Sequence, residues 1–285
     1  MKPIEVKDLH FSYGSSPILR GIDFSLNAGE ILCIFGPNGC GKTTLLECIL
    51  GLLKPQSGEI LLEGKPTSEM KIAECAQKIA LVPQKSQHTF GYTVLEMVLM
   101  GRTASTGLFQ SPDESDLEIA RDCLRQVGMF SFCDRNVNQL SGGESQLVML
   151  ARALAQKTKI IVFDEPTSHL DFRHELNVIK YMCKLVKEMG MSLLMTTHFP
   201  NHALYLENQG IPTRVALMEN GALCACGAAS ETLSEENMSR IFKIKTKVYQ
   251  NFEQGQLFTY IMPLDFNNGG QWNENNKDTY GNVEA

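Results

Sequence analysis

One stretch of eight residues has the composition of a phosphate-binding loop. It reads GPNGCGKT and fits G-x-x-x-x-G-K-[ST], in which glycines let successive backbone N–H groups turn towards phosphate oxygens. An apolar run precedes it and a helix-forming run follows, so the start of that helix adds positive potential. Lys42 can reach the β- and γ-phosphates, and the Thr43 hydroxyl can bind Mg²⁺. We therefore expect a nucleoside triphosphate to be bound by Gly36, Pro37, Asn38, Gly39, Cys40, Gly41, Lys42, Thr43 and Thr44.

Cys40 lies inside this loop, close to the start of the following helix. Such a position tends to lower the pKa of a thiol. We therefore expect Cys40 to be alkylated readily in the empty protein and to be shielded by bound ATP. The alternative is a small residue that is tolerated at a variable position of the loop.

Two adjacent carboxylates follow a second apolar run, IIVF. Asp164 is placed to hold Mg²⁺ through its water shell, as the acidic partner of a phosphate loop does. Because neighbours on a strand point to opposite faces, Glu165 must do a different job, and it could polarise a water for attack on the γ-phosphate. His198 ends a third run, SLLMTT, at the edge where ligands gather in open α/β sheets. A lone histidine there is more often structural, but beside the other two strand ends it predicts a γ-phosphate contact.

A second glycine-rich segment, LSGGE, stands before another helix-forming run that continues through Gln156. Ser141 and Glu144 have the spacing of a capping box. A cap does not explain Gly142 and Gly143, because glycine lowers helix stability and leaves N–H groups bare. Bare N–H groups at a helix start suit an anion that needs close backbone approach. Since one loop already encloses the phosphates, this segment predicts contact with the γ-phosphate of another copy's nucleotide.

Alternating strands and helices must position these residues. Buried strands are expected in the apolar runs 29–36, 78–84, 159–166, 192–198 and 214–224. Helical sequence lies between several of them, and a helix after the phosphate loop is expected to bury Leu45, Leu46, Ile49, Leu50 and Leu53. This alternation predicts an α/β domain built on a largely parallel sheet. The opening stretch, Ile4 to Leu26, instead alternates short apolar runs with turn residues, as hairpin strands do.

The chain divides into one large domain and a short C-terminal part. Residues 1–245 form the predicted domain, and helix-forming sequence with few strand signals at about 85–157 predicts an inserted helical lobe. Residues 246–264 predict a small hairpin that turns near 253–255. The Asn- and Gly-rich stretch 265–285 has little apolar content, which predicts disorder.

The overall composition limits the function. With 43% hydrophobic residues and a net charge of -6, the chain resembles an ordinary globular protein and lacks a general nucleic-acid footprint. No apolar run approaches the roughly 18 residues of a membrane span, and the start lacks the features of a signal peptide. We therefore expect a cytosolic protein that serves any membrane process through partners.

The set GPNGCGKT, Gln84, LSGGE, IIVFDEP, SHLD and His198 resembles the ATP-binding subunit of ABC transporters, over about residues 3–245. The order and spacing of six motifs make the resemblance specific. It implies a P-loop NTPase cassette with a RecA-like core sheet, N-terminal antiparallel strands and an inserted helical subdomain. It also implies a homodimer that sandwiches two ATP molecules, each bound by one phosphate loop and the opposing LSGGE signature.

The same resemblance assigns roles to further residues. Tyr13 would stack on adenine, since an aromatic face gains from an offset ring partner. Gln84 would contact the Mg²⁺ and the attacking water and report to the membrane subunit, and Asp171 would work across the dimer contact. The chain departs from the usual signature at Glu144, where glutamine is common, and at Leu147, where arginine is usual. Neither departure implies inactivity.

Other segments indicate which group of ABC transporter subunits the chain resembles. TVLEMVLMGRTASTGLF, PTSHLDF and the terminal hairpin resemble importer subunits for iron–siderophore, haem, cobalamin and related metal chelates. Leu147 and TTHFPNHAL also resemble molybdate- or tungstate-type relatives. Such subunits lie at the cytoplasmic face of the cell membrane, where two copies sit beneath two multi-span permease subunits fed by an extracytoplasmic binding protein.

Two alternatives share the catalytic motifs. One is an ABC exporter subunit. The other is a soluble ABC ATPase that acts as a clamp in repair, translation or cofactor assembly. A clamp usually has a long coiled coil, a fused second cassette or a basic face, and the sequence shows none of these.

Overall fold

The computed structural model describes residues 2–84, 91–106, 112–253 and 256–267. Its strands are β1 (Ile4–Tyr13), β2 (Ser16–Leu26), β3 (Ile31–Phe35), β4 (Ser57–Leu62), β5 (Lys65–Pro66), β6 (Ile79–Val82), β7 (Ile160–Phe163), β8 (Ser192–Thr197), β9 (Thr213–Glu219), β10 (Ala222–Ala228), β11 (Ile244–Glu253) and β12 (Gln256–Phe266). Its α-helices are α1 (Lys42–Ile49), α2 (Ile72–Ala76), α3 (Val94–Leu99), α4 (Thr103–Thr106), α5 (Glu114–Gln126), α6 (Gly142–Ala155), α7 (Phe172–Met189), α8 (Pro200–Asn208), α9 (Ala229–Thr232) and α10 (Glu235–Phe242).

The central sheet has the strand order β10-β9-β3-β8-β7-β6. All neighbouring pairs are parallel except β10 and β9, which pair antiparallel. Every residue of β3, β7 and β8 is buried, as expected of a parallel sheet with covered faces. The predicted α/β cassette with a largely parallel sheet is therefore confirmed.

A second sheet covers one side of this core. It has the order β2-β1-β4-β5, with antiparallel pairing throughout, so the predicted N-terminal hairpin strands are also present. Its inner residues pack with α1 and one face of the central sheet. Helix α1 is shorter than expected, because it ends at Ile49. Leu50 and Leu53 follow the helix and are only partly buried.

The helical lobe holds the C-terminal half of α6 in place. Helices α3, α5 and α6 pack together around buried aliphatic residues. Within this lobe, the Arg102 guanidinium donates a 2.8 Å hydrogen bond to Asp116 and another of 2.8 Å to the carbonyl oxygen of Ala155. The carbonyl of Arg152 lies against Gly101, where an added Cβ would come within 2.2 Å of the oxygen. The lobe therefore fixes the helix that begins at the LSGGE signature.

The C-terminal hairpin is bound to α8 by two asparagine side chains. Asn201 both donates to and accepts from the backbone of Ile261, at 3.0 and 2.8 Å, and Asn208 does the same with Thr259, at 2.9 and 3.1 Å. Strands β11 and β12 extend beyond the expected range 246–264 at both ends. Two residues of the predicted turn, 254 and 255, and residues 268–285 lie outside the described residues. Disorder was predicted from residue 265, but residues 265 and 266 belong to β12, so the prediction was wrong there.

Two further features concern the state of the cysteines and the length and polarity of the helices. All nine cysteines are free. Among the described residues, no helix combines the length and the apolar character that crossing a membrane requires.

Substitution of Gly101 by alanine should weaken the junction between the lobe and α6. The added methyl group would overlap the Arg152 carbonyl, so the helices would have to separate, and we expect a loss of about 1–3 kcal/mol in the free energy of unfolding. Urea denaturation measures this loss. Ser105→Ala, at an exposed position of α4, is the control and should change the free energy by less than about 0.5 kcal/mol. An equally stable Gly101→Ala variant would show that the junction is not tightly packed.

Candidate nucleotide-binding site

The phosphate loop connects the end of β3 to the start of α1. Gly39 and Gly41 have φ values of 76° and 104°, which favour glycine. A Cβ on Gly36 would lie 2.2 Å from the carbonyl oxygen of Met218, so this position also requires glycine. Lys42 is buried, and its Nζ donates to the carbonyl oxygens of Gly36, at 2.9 Å, and Pro37, at 3.1 Å. The ammonium group thus lies within the loop, where it can bind a phosphate oxygen.

Cys40 does not have the lowered pKa that its position predicts. Its side chain packs into the core beneath the loop, and burial raises the pKa of the thiol more than the charge of Lys42 lowers it. The expected ready alkylation therefore loses its physical basis. The small size of the side chain explains its presence in the loop, since its Sγ lies against Gly36.

Asp164 is held by Thr196 of the neighbouring strand. The Thr196 hydroxyl donates to Oδ1 of Asp164 at 2.7 Å and accepts from the backbone N–H of Glu165 at 2.9 Å. Burial, and to a smaller extent the charge of Glu165, raises the pKa of Asp164. Among the described residues, nothing donates a hydrogen bond to its Oδ2. A half-buried carboxylate with a free oxygen suits a divalent cation, which would favour the ionised form.

The sequence suggested that strand alternation points Asp164 and Glu165 to opposite faces. In the structure, the backbone conformation of Glu165 separates the two carboxylates instead. Strand β7 ends at Phe163, and Glu165 has a φ of 46°, in the left-handed region. Ser168 stabilises this turn, because its backbone N–H and its hydroxyl both donate to the Glu165 carbonyl, at 3.1 and 2.9 Å. Such strain in a non-glycine residue persists only where its surroundings enforce it, and it is found preferentially at functional sites.

The carboxylate of Glu165 is contacted on both oxygens by predicted site residues. Gln84 donates from Nε2 to Oε2 at 2.7 Å, and His198 pairs through Nε2 with Oε1. Only 13% of the Glu165 side chain is exposed, against 32% for His198. The structure thus brings together the three residues that the sequence predicts to be catalytic. A water that replaces either contact would be positioned by the other side chain and activated by the carboxylate.

The signature segment forms the expected capping box at the start of α6. The Ser141 hydroxyl accepts from the N–H of Glu144 at 3.3 Å and donates to its carboxylate at 2.8 Å, while the Ser141 N–H donates to the same oxygen at 2.8 Å. These backbone and side-chain hydrogen bonds lower the pKa of Glu144. None of the hydrogen bonds described for residues 141–144 reaches residues 36–44 of the same chain.

The two signature glycines have different local explanations. A Cβ on Gly143 would lie 2.1 Å from Cδ2 of His174, so the position is too crowded for any other residue. A Cβ on Gly142 would meet only Leu170, at an ordinary 3.7 Å. The packing of this chain therefore does not require glycine at position 142. An open helix start without a side chain suits the close approach of another molecule.

Tyr13 and Asp171 are both well exposed. The Tyr13 ring is 52% exposed, meets Phe11 edge-on with ring centroids 4.9 Å apart, and places its hydroxyl 3.5 Å from Glu47. One face of the ring is thus able to stack on a flat base. Asp171 caps α7, since its Oδ1 accepts from the N–H of His174 at 2.9 Å.

The sequence interpretation missed Thr196 as a residue that positions the site. The signal was available, because a polar side chain that is fully buried in the apolar run SLLMTT needs a hydrogen-bond partner. Leu147 replaces the usual arginine of the signature helix without structural cost, because it packs against the hydrophobic core.

A glycine-rich loop after a buried strand, beside an acidic strand end, defines a P-loop nucleoside triphosphatase. Comparison with known protein families identifies which family of P-loop proteins this chain belongs to. Residues 19–168 match the family described as ABC transporter. The chain therefore belongs to the ATP-binding proteins of ABC transporters, a family of ATPases, and the resemblance seen in its motifs is confirmed.

Individual relatives agree with this assignment. The molybdate import ATP-binding protein MolC of Haemophilus influenzae is 33% identical over 92% of this chain and 97% of its own length. The iron(3+)-hydroxamate import ATP-binding protein FhuC of Bacillus subtilis is 31% identical over 87% and 90%. Among solved structures, a metal-chelate type ABC transporter described as inward-facing is 31% identical, with a TM-score of 0.81 and coverage of 93% and 98%. A dimeric cassette, MJ0796 bound to ADP and phosphate, is 28% identical, with a TM-score of 0.68 and coverage of 79% and 98%.

The burial of Cys40 predicts slow alkylation. At near-neutral pH, iodoacetamide should label Cys40 more slowly than the exposed Cys226 by about tenfold or more, because both access and thiolate fraction are reduced. Raising the pH should speed the labelling of Cys40 as its thiolate forms. Peptide mass spectrometry of the nucleotide-free protein gives both rates. Equal rates at the two cysteines would contradict the buried position.

The substitution Thr196→Val keeps the side-chain volume but removes the hydroxyl that contacts both carboxylate residues. Since partners that orient such groups typically account for a factor of about 10–100, we expect turnover of ATP to fall by that amount with little change in fold. Steady-state phosphate release measures the effect. Thr213→Val, which removes another buried threonine hydroxyl from the same sheet, is the matched control and should retain turnover. Normal activity of Thr196→Val would refute the positioning role.

Proposed function

We propose that this protein is the ATP-hydrolysing subunit of an ABC importer for a metal chelate or a molybdate-like oxyanion. Two copies would bind two ATP molecules between them, at the cytoplasmic face of the cell membrane. They would act beneath two multi-span permease subunits that receive cargo from an extracytoplasmic binding protein. The relatives named for molybdate and iron-hydroxamate import, and the metal-chelate type transporter, support this class of cargo.

The main observation in support of the proposed dimer is the open start of α6 at Gly142. Its glycine is not required by the packing of the chain itself, and the phosphate loop of the same chain would enclose the phosphates of its own nucleotide from the other side. Both features would be explained if the ATP bound to a second copy placed its γ-phosphate at this helix start. The dimeric state of the MJ0796 cassette supports the same arrangement.

The hydrolytic step follows from the cluster around Glu165. ATP would be held by the phosphate loop, with Lys42 on the β- and γ-phosphates. Gln84 or His198 would release one carboxylate oxygen, so that Glu165 can accept a proton from the attacking water while His198 holds the γ-phosphate. The hydroxyl of Ser141 and the N–H of Gly142 in the partner would stabilise the charge on the γ-phosphate.

The residues present also fit Mg²⁺. Thr43, Gln84 and Asp164 supply oxygen ligands directly or through water, and oxygen is the donor that this ion prefers. When bound, Mg²⁺ would neutralise charge on the β- and γ-phosphates. Thr196 would keep Asp164 in place, since it holds Oδ1 and leaves Oδ2 for the ion or its waters.

Transport would be driven by a difference in affinity between two states. If ATP binds the closed dimer more tightly than the open one, binding shifts the population towards closure and hydrolysis releases it. A difference of about 5.5 kcal/mol would convert a mostly open pair into a mostly closed one. In this scheme the cargo never contacts the subunit.

The substitution Glu165→Gln tests the proposal most directly. We expect turnover to fall by about 10²–10⁴-fold, because the general base is lost, and an ATP-held dimer to accumulate in excess MgATP. Size-exclusion chromatography with light scattering detects the dimer. The double variant Lys42→Ala, Glu165→Gln is the control and should remain monomeric, since its loop no longer binds the phosphates.

The same dimer identifies the partners. Capture of tagged Glu165→Gln from gently solubilised membranes should recover a multi-span permease. A monomer in saturating MgATP would contradict the nucleotide sandwich. A dimer without any membrane partner would instead favour the soluble clamp.

A further inference from the structure

The first turn of α7 contacts the signature segment of the same chain. His174 packs its ring against Gly143, so closely that only a glycine fits there. The ring is fixed from the other side by Asp171, whose Oδ2 lies 2.8 Å from Nδ1 of His174. Leu170 lies next to Gly142. The position of the signature backbone is therefore set by this turn as well as by its own capping box.

The adjacent residue of the same turn is linked through His202 of α8 to the end of β8, directly before His198. Oε1 of Glu175 lies 2.6 Å from Nε2 of His202, and Nδ1 of His202 lies 3.2 Å from the hydroxyl of Thr197. A neutral imidazole protonated on Nε2 satisfies both hydrogen bonds. Burial lowers the pKa of His202, which favours that neutral form. Thr197 directly precedes His198, which contacts Glu165.

These contacts form a continuous path within one chain. It runs from His198 through Thr197, His202 and Glu175 to the first turn of α7, and from there through His174 to Gly143. Energetic coupling between separated sites is carried by packed and hydrogen-bonded networks of this kind. The two ends of the path have different roles in the sandwich: His198 would serve the chain's own nucleotide, whereas Gly143 lies in the segment that would serve the partner's.

We propose that His174, Glu175 and His202 are positioning residues that couple the γ-phosphate end of β8 to the signature segment, so that each subunit's own nucleotide state adjusts its contact with the partner's ATP. This inference rests on the proposed nucleotide sandwich. It goes beyond that proposal because none of these three residues reaches the reacting atoms. Their effect on hydrolysis would be exerted in the partner's active site.

Mixed dimers separate this role from a purely structural one. Two copies with different tags are co-expressed, and one copy carries Glu165→Gln, so that only the phosphate loop of the other copy hydrolyses ATP. In the first arrangement His174→Ala is placed in the Glu165→Gln copy, whose signature faces the active loop. In the second it is placed in the active copy. Both dimers contain the same substitutions, so a general loss of stability affects them equally.

We expect the first arrangement to hydrolyse ATP more slowly than the second, by on the order of tenfold, because a displaced signature no longer fits the γ-phosphate. The second arrangement should match the mixed dimer without His174→Ala. Equal rates in the two arrangements, or a slower second arrangement, would overturn the positioning role.

Glu175→Ala tests the other half of the path. It should slow the first arrangement in the same direction, and it should add little to His174→Ala, because both substitutions interrupt one path. Glu175→Gln retains an acceptor for His202 and should restore the rate. Independent, additive effects of Glu175→Ala and His174→Ala would show that the two contacts are not coupled.

Two controls keep this inference apart from the proposed sandwich. Ser141→Arg in the first arrangement should abolish turnover, and if it does so only in the second arrangement the sandwich itself is wrong. Glu188→Gln makes a similar charge change at the exposed far end of α7, where Glu188 pairs with Lys184, and it should leave both arrangements unchanged. If Ser141→Arg behaves as expected while His174→Ala does not distinguish the arrangements, only the coupling path is refuted.

Discussion

The parallel register of three strands is the constraint on which the site depends. Phe35 of β3 pairs with Thr197 of β8, and Phe163 of β7 pairs with Met195 of β8. Because the strands run in the same direction, the residues that follow them emerge at one edge. The phosphate loop, the two carboxylates and His198 are thereby brought together, although the loop precedes the carboxylates by more than a hundred residues in the sequence. A shift of this register by a single residue would exchange the two covered faces of a strand and displace the site residues that follow it.

Within this frame, the site holds its charges in a state that needs a ligand. Asp164 is half-buried beside a second carboxylate, and Lys42 turns its ammonium group onto the carbonyls of its own loop. Glu165 adopts an unfavourable backbone conformation and shares its oxygens with Gln84 and His198. A cation could offset the cost of the Asp164 carboxylate, and phosphates that of the Lys42 ammonium, because each supplies the opposite charge. This arrangement suits the binding of a nucleotide.

The sequence predicted those parts of the structure that depend on local pattern. Strand positions, the capping box at Ser141 and the residues around Glu165 follow from apolar periodicity and motif spacing. Several expectations failed where they relied on local rules and tertiary packing decides. The pKa of Cys40 is set by its burial and not by the nearby helix start, and α1 ends at Ile49 although apolar spacing continues to Leu53. The role of Thr196 depends on a cross-strand contact that a single segment does not reveal.

The adjacent glycines of the signature show why a structure was needed to interpret a motif. In the sequence Gly142 and Gly143 are equivalent, and both suggest an anion that approaches bare N–H groups. In the structure Gly143 is explained by His174 of the same chain, so it gives no independent evidence for an external ligand. Internal packing does not explain Gly142, so this glycine still indicates an external ligand. The crowded glycine instead reflects a contact between α6 and α7. This contact makes the orientation of the signature depend on α7, whose first turn is also linked through His202 of α8 to Thr197, the residue before His198.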